Sequence, residues 1–481
     1  MKNIFNKYKA LPQPVKASFW FMVCGFLQRG ISVLTTPIFT RLLTTEQYGT
    51  FSTFNSWLEV LTVFVTLKLA AGVYTQGLVK YDQDRNIFTS SLLGLATTST
   101  AIWFLIYLLF HDFFNSLLDM STLLMVAMFV MMWATISYNF WSSKERVDYQ
   151  YKKLVIITVL VTIAKPLLGV IAVIHTSVYK VEARIVSLAF VELVAYTGLY
   201  ISMMRRGKVF YNQTYWKYAL DFNLPLIPHY LSKTILNHSD RIMIKAILGA
   251  SASGIYSLAY NISSMLTILN TSITNTLTPW IYKSIKSNEI KKINSISVII
   301  LVMIAIVNLM LIAIAPEAVA FFAPSAYHES IWVIPPVTMA VFFQFMYNLF
   351  ATFEFYFEKT KWIMAASTFG ALLNLLLNAI LLPQYGYIAA AYTTLICYII
   401  YSVLHYYFMH KVCKENLNGV QPYNAKVILG ISILFVATGF GLRALFPYRY
   451  IRYTLILIVL IIAVIKRERI QNTMAVITQK K

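Results

Sequence analysis

The chain has 481 residues, of which 58% are hydrophobic and only 12% are Asp, Glu, Lys or Arg. Soluble domains run near a quarter charged, so this balance excludes an ordinary water-soluble domain and points to the membrane. The net charge of +21 does not mark a nucleic-acid binder, because the basic residues are scattered between apolar runs rather than clustered.

A membrane-crossing helix needs about 20 mostly apolar residues. Read in order, the chain offers fourteen such stretches: 16–41, 46–78, 86–110, 117–141, 152–175, 180–204, 214–248, 252–282, 293–315, 330–356, 360–382, 386–410, 425–446 and 449–466. The first is too long for a cleavable signal core and reads as a retained span. The connecting segments are too short to house a soluble catalytic domain. The expected class is therefore an all-α integral membrane protein. Cys24, Cys397 and Cys413 have neither CxxC nor metal spacing and fix no redox compartment.

Orientation follows from the basic residues, which stay on the cytoplasmic side near span ends. With the N-terminus inside, the inner segments collect Lys2, Lys7, Lys9 and Lys16, then Lys144, Arg146, Lys152 and Lys153, then Arg205, Arg206, Lys208 and Lys217. The pattern continues to Lys466, Arg467, Arg469, Lys480 and Lys481, while the outer segments near 111–120, 316–329 and 383–386 contain no Lys or Arg. Both termini are expected in the cytoplasm.

A short internal repeat adds a plan. LTTEQYGTFS at 43–52 and LGASASGIYS at 248–257 share Leu, Gly, an aromatic and Ser at one offset. The offset spans an even number of helices. Two six-helix lobes related by a pseudo-two-fold along the membrane normal are therefore expected, with substrate held between them. The boundaries read as 1–210 for the first lobe, 211–415 for the second, and 416–481 for two further helices and a cytoplasmic tail.

A charge at bilayer depth costs roughly 2.5–3.5 kcal/mol even on the lenient insertion scale, so mid-span charges need a reason. Arg29, Lys68, Lys165 and Lys233 fall well inside spans. Arg29 and Lys233 occupy the first helices of the two expected lobes and are candidates to bind an anion, with Lys165 and His229 beside them. His229, Lys233 and Asn237 recur every four residues, and Asp240 and Arg241 continue that face. Pro225 and Pro228 should kink the helix below it. The competing reading pairs Arg29 with Glu59 or Glu192 and lets lysines snorkel.

Glu59 and Glu192 lie at mid-depth and are candidates for ion or proton coupling, since a desolvated carboxylate gains proton affinity. Glu354 is similar but nearer the cytoplasmic end. Asp240 and Arg241 read as an anchor for the outer turn, and Asn374 and Asn378 as links between helices. The sequence contains no Walker A, GxSxG or HExxH pattern, so no enzyme and no cofactor is expected.

LPLIPHYLS at 224–232, SDR at 239–241, LG at 248–249, GIYSLAY at 254–260 and PIFTRLLTTEQYGTFS at 37–52 resemble the Wzx-type flippases. These form the polysaccharide-transport branch of the multidrug/oligosaccharidyl-lipid/polysaccharide flippase superfamily. The resemblance implies a MATE-like, two-lobe transporter of the bacterial plasma membrane. Its substrate would be an undecaprenyl-diphosphate-linked oligosaccharide repeat unit, moved from the cytoplasmic to the outer leaflet by alternating access. It also implies a basic cavity including Arg29, a groove for the lipid tail at the last two helices, and work alongside a glycan polymerase and chain-length machinery. A multidrug cation antiporter, a peptidoglycan-precursor flippase and a membrane glycan polymerase are the alternatives.

Overall fold

The computed structural model describes residues 12–417 and 419–467, and the regular elements among them are all helical. In chain order they are α1 (Gln13–Leu42), α2 (Thr45–Val65), α3 (Val73–Lys80), α4 (Arg85–Leu109), α5 (His111–Leu118), α6 (Thr122–Val147), α7 (Tyr151–Ile174), α8 (Lys180–Gly207) and α9 (Gln213–Asn223). They continue with α10 (Ile227–Leu248), α11 (Ala250–Ser264), α12 (Leu266–Lys286), α13 (Ile290–Ala313), α14 (Ala315–Phe322), α15 (Ile334–Tyr356), α16 (Thr360–Tyr385), α17 (Ile388–Asn416), α18 (Ala425–Ala444) and α19 (Arg449–Ile465). The terminal residues Lys2, Lys7, Lys9, Arg469, Lys480 and Lys481, which carried part of the orientation argument, lie outside the described residues.

Ten of these helices are long and apolar enough to cross a membrane: α1, α4, α6, α7, α8, α13, α15, α16, α17 and α18. The other four expected spans are helical but divided or short. Segment 46–78 is split into α2 and α3 by a turn in which Leu67, Lys68 and Gly72 take positive φ. Segment 214–248 is α9, a single 3-10 turn at Leu224–Leu226, and α10. Pro225 lies in that turn and has no N–H to continue the ladder, which accounts for the break. Segment 252–282 is divided between α11 and α12 at Met265, and α19 has 17 residues.

The helix starts follow capping chemistry. Thr44 and Gln47 form a reciprocal capping box at the head of α2, and Ser121, Asn212 and Asn424 cap α6, α9 and α18. The two copies of the short repeat sit at equivalent places, each opening a helix, and Ser52 and Ser257 are both buried.

The chain divides into two compact units, one through His238 and one from Ser239, so the boundary falls inside α10. In the first unit, α7 shows what makes this a membrane fold. Ile156, Leu160, Ile163, Leu167, Ile171 and Ile174 are all exposed and recur every three or four residues, forming an apolar stripe that water would not tolerate but lipid would. On the inner side, α4 and α8 approach closely because Gly207 has no side chain: a Cβ there would sit 2.0 Å from Ser90 Oγ and 2.2 Å from the Asn86 carbonyl.

Two helix breaks in this unit meet. Asn223 Nδ2, at the end of α9, donates to the Leu67 carbonyl at 2.7 Å, and Ser99 Oγ donates to the Val65 carbonyl at 2.8 Å. Broken backbone at membrane depth survives only if its carbonyls are satisfied, and these side chains do that.

In the second unit α15 is the central helix, with 83% of its apolar window buried and Phe342, Phe345, Phe350 and Phe353 fully enclosed. The short α19 is pinned at its start. Arg452 donates to both carboxylate oxygens of Glu317 at 2.8 Å and to the Ala313 carbonyl, and Tyr453 donates to Glu317 at 2.9 Å. The bidentate geometry fixes orientation as well as contact.

Candidate substrate-binding site

The mid-span cations separate into two groups. Lys165 on α7 is paired with Glu192 on α8, whose other oxygen accepts from Thr135 of α6 at 3.1 Å. Glu192 is buried, so this is a charge pair taken largely out of solvent. Lys68, in the turn after α2, lies 3.9 Å from Glu59, and that carboxylate is half exposed. Arg29 and Lys233 differ from both. Each is exposed on its helix, and neither side chain has a carboxylate partner among the described residues. The expected alternative for Arg29, a pair with Glu59 or Glu192, is not what the structure holds: those carboxylates are taken by Lys68 and Lys165.

His229 stands one helical turn before Lys233 on α10, half-buried, and its ring packs near Tyr230. Asn237 Nδ2 turns back to the Lys233 carbonyl at 2.7 Å rather than outward. The structure thus joins Lys165 to Glu192, while Arg29 and Lys233 have no carboxylate partner among the described residues.

The polar face of α10 changes character along its length. Lys233 is exposed, whereas Asp240 and Arg241, two turns on, are buried. Asp240 accepts from Tyr256 of α11 and Thr394 of α17, each at 2.6 Å, and from Asn378 of α16 at 2.7 Å. Ser239 donates to Asn374 at 3.0 Å, and Arg241 lies over the Tyr260 ring at 4.2 Å. Asp240 therefore anchors more than the outer turn: it ties α10 to three other helices. A buried carboxylate with three donors has its lone pairs well used. The i, i+4 pair Asn374 and Asn378 was the sequence signal, and its partner on α10 was not visible from spacing.

Two further features were legible in the sequence only in part: Glu354 without its partner, and a groove expected at the last two helices rather than along α15, α17 and α18. His405 of α17 meets Glu354 of α15, Nδ1 to Oε1 at 2.7 Å, with both side chains fully buried. A histidine in an apolar run carries little signal without its partner. An apolar groove of about 610 Å³ also lies along α15, α17 and α18, lined among others by Phe343, Phe350, Val403, Tyr406 and Ile433. No cluster of three or more His, Cys, Asp or Glu that could hold a metal ion is present among the described residues.

Comparison with known proteins places these features. The family described as "Polysaccharide biosynthesis protein" matches residues 15–285. An uncharacterized membrane protein of Haemophilus influenzae is 20% identical over 369 residues, covering 75% of this chain and 88% of that protein. Among solved structures, the lipid II flippase MurJ in an inward closed conformation aligns with a TM-score of 0.70 at 15% identity, over 94% of this chain and 99% of that one. An inward-facing multidrug resistance MATE family transporter of the MOP superfamily aligns with a TM-score of 0.62 at 11% identity, over 81% and 96%. At these identities the likeness is one of fold alone.

Proposed function

This chain belongs to the polysaccharide biosynthesis protein family, which comprises membrane transporters rather than enzymes, and from that premise we propose that it is a flippase. Its substrate is an undecaprenyl-diphosphate-linked oligosaccharide repeat unit, carried from the cytoplasmic to the outer leaflet of a bacterial plasma membrane. The observation that carries this reading is Arg29, with Lys233 beside it in kind. These cations sit in helices of a membrane protein without a carboxylate partner among the described residues, whereas Lys165 and Lys68 have one. An uncompensated cation in a span is paid for by a ligand of opposite charge, and a diphosphate supplies it.

In this reading the chain spans the membrane fourteen times with both termini in the cytoplasm, as two six-helix lobes (1–210 and 211–415) and two further helices. Arg29 and Lys233 hold the diphosphate, with His229 one turn away. The prenyl chain lies in the predominantly apolar groove along α15, α17 and α18. Rocking of the lobes exposes the sugar outside. Protonation of Glu192 would release Lys165 to the diphosphate, which gives ion coupling a defined place; Glu59 with Lys68 is the second such pair.

The likeness of fold to a lipid II flippase favours a peptidoglycan precursor as the second reading. Both substrates share a prenyl diphosphate, so the sugar separates them. Deletion in the native host tests the assignment. The flippase reading expects complete lipid-linked repeat units to accumulate facing the cytoplasm. Single units already on the outer face would indicate a polymerase instead, and an unchanged glycan with accumulated peptidoglycan precursor would support the second reading.

A further inference from the structure

Glu354 and His405 form the most enclosed ionisable pair in the second unit. Glu354 lies near the C-terminal end of α15 and His405 faces it from α17. Both side chains have zero exposure, and Oε1 and Nδ1 are 2.7 Å apart. The other two polar atoms, Glu354 Oε2 and His405 Nε2, have no hydrogen-bond partner among the described residues. The surroundings are aromatic: the Tyr347 ring stacks on the imidazole at 5.4 Å and the Tyr401 ring meets it edge-on at 4.5 Å.

Titratable groups on the packed elements include Tyr347 and Tyr356 on α15, Cys397, Tyr398, Tyr401, Tyr406, His410 and Cys413 on α17, Tyr423 before α18 and Tyr282 on α12; the thiols and phenols are neutral near neutral pH. The charged groups nearest in sequence are Glu358 and Lys359 just after α15 and Lys411 and Lys414 on α17; Lys359 pairs with Glu415 at 3.7 Å in a partly exposed position, and Lys411 lies over the Trp362 ring at 4.5 Å. No cation is therefore committed to the Glu354 carboxylate apart from what His405 itself can hold.

The number of protons on the pair follows from this. Glu354 ionised beside neutral His405 leaves a net negative charge in a dry, aromatic setting, and such a charge is costly without a partner. One added proton makes the pair neutral. A second makes it a buried cation. Of the two neutral arrangements, protonated Glu354 donating to His405 leaves only uncharged atoms unpartnered, whereas the carboxylate–imidazolium form leaves charged ones. The favoured state thus carries one proton on Glu354, given to Nδ1 in the hydrogen bond.

We propose that Glu354 and His405 form a proton-binding dyad that holds one proton while α15 and α17 are closed on each other and exchanges it with water when they part and water reaches the carboxyl. The binding step stands on its geometry alone. The coupling step rests on the flippase reading above. On loading, a hydronium ion gives its proton to Glu354 Oε1 and leaves as water, and on release the same proton passes back to water as hydronium, with no other bond made or broken.

Difference infrared spectroscopy of the purified full-length protein in lipid nanodiscs, stepped across the physiological pH range in H₂O and D₂O, tests the binding step without any substrate. The expected wild-type signature is a protonated-carboxyl stretch that shifts in D₂O and is lost in Glu354→Gln. His405→Gln should keep that band but move its titration midpoint, which keeps the test open if the first variant folds poorly. Absence of the band in the wild type, or its survival in Glu354→Gln, would overturn the dyad. For coupling, proteoliposomes flipping a short-chain lipid-linked sugar should lose their acceleration by an imposed pH gradient in Glu354→Gln while downhill flipping persists. A retained gradient response alongside a lost infrared band would overturn the coupling step and leave the proton site standing. Failure of the wild type to flip any lipid-linked sugar would count against the flippase reading and its coupling step, again without touching the spectroscopic result.

Discussion

Lys165 and Glu192 show how a mid-membrane charge can be structural and still available to function. Glu192 is buried and holds both Lys165 and Thr135. Removing one partner from a buried pair strands the other charge, which typically costs about 3–5 kcal/mol, while replacing both with apolar residues is often neutral. Lys165→Met should therefore lower the thermal midpoint in detergent sharply, and Lys165→Met with Glu192→Leu should recover most of it. Equal loss in the double variant would mean that the pair contributes little as a pair. Composition and span counting made the candidate residues visible, because an isolated Lys or Glu in an apolar run stands out. Which carboxylate meets which cation was not visible. Glu192 was open to Arg29, Lys68 or Arg184, and packing chose none of these: Lys165 took it, and Arg184 lies between the Phe39 and Phe51 rings at 3.6 and 3.4 Å.

At the scale of elements, the breaks carry the most information. Pro225 announced the break before α10, since proline removes a backbone donor. The break between α2 and α3 had no proline, and its positive-φ Leu67 and Lys68 gave no warning in the sequence. Close helix contact was equally silent. Gly207 on α8 reads as one more small residue, yet it admits Ser90 and Asn86 of α4. Gly207→Ala should destabilise the protein by about 1–3 kcal/mol through overpacking, measurable as a lowered thermal midpoint; Gly198→Ala on the same helix, where a Cβ meets nothing within 4 Å, should not.

The anchor of α19 titrates. Burial pulls the Glu317 carboxyl up, but its bonds from Arg452, the backbone and Tyr453 outweigh this and leave it below the ordinary carboxylate range. A depressed carboxyl adds stability that is present above its unfolded pKa and is lost as pH falls through the folded value. Proteolysis of the α18–α19 connection should therefore quicken only on acidification below the usual glutamate range, which starts near about 4.3. Glu317→Gln should remove that pH dependence, and an unchanged profile in this variant would move the effect to another group.

For the molecule as a whole, an alternation of basic connections with ones that lack Lys and Arg, apolar faces such as that of α7, and interrupted helices all follow from one constraint. Lipid tolerates neither free backbone polar groups nor uncompensated charge, so whatever breaks those rules needs a partner. The Asp240 network meets the demand internally, and the described residues offer Arg29 and Lys233 no carboxylate. The proposed account gives that role to a prenyl-linked diphosphate. The most direct measurement is flipping of a fluorescent undecaprenyl-diphosphate oligosaccharide in proteoliposomes, comparing the wild type with Arg29→Ala/Lys233→Ala at equal reconstituted amount. The account predicts translocation by the wild type and its loss in the double variant, with folding retained by thermal midpoint. Undiminished translocation by a folded double variant would contradict it.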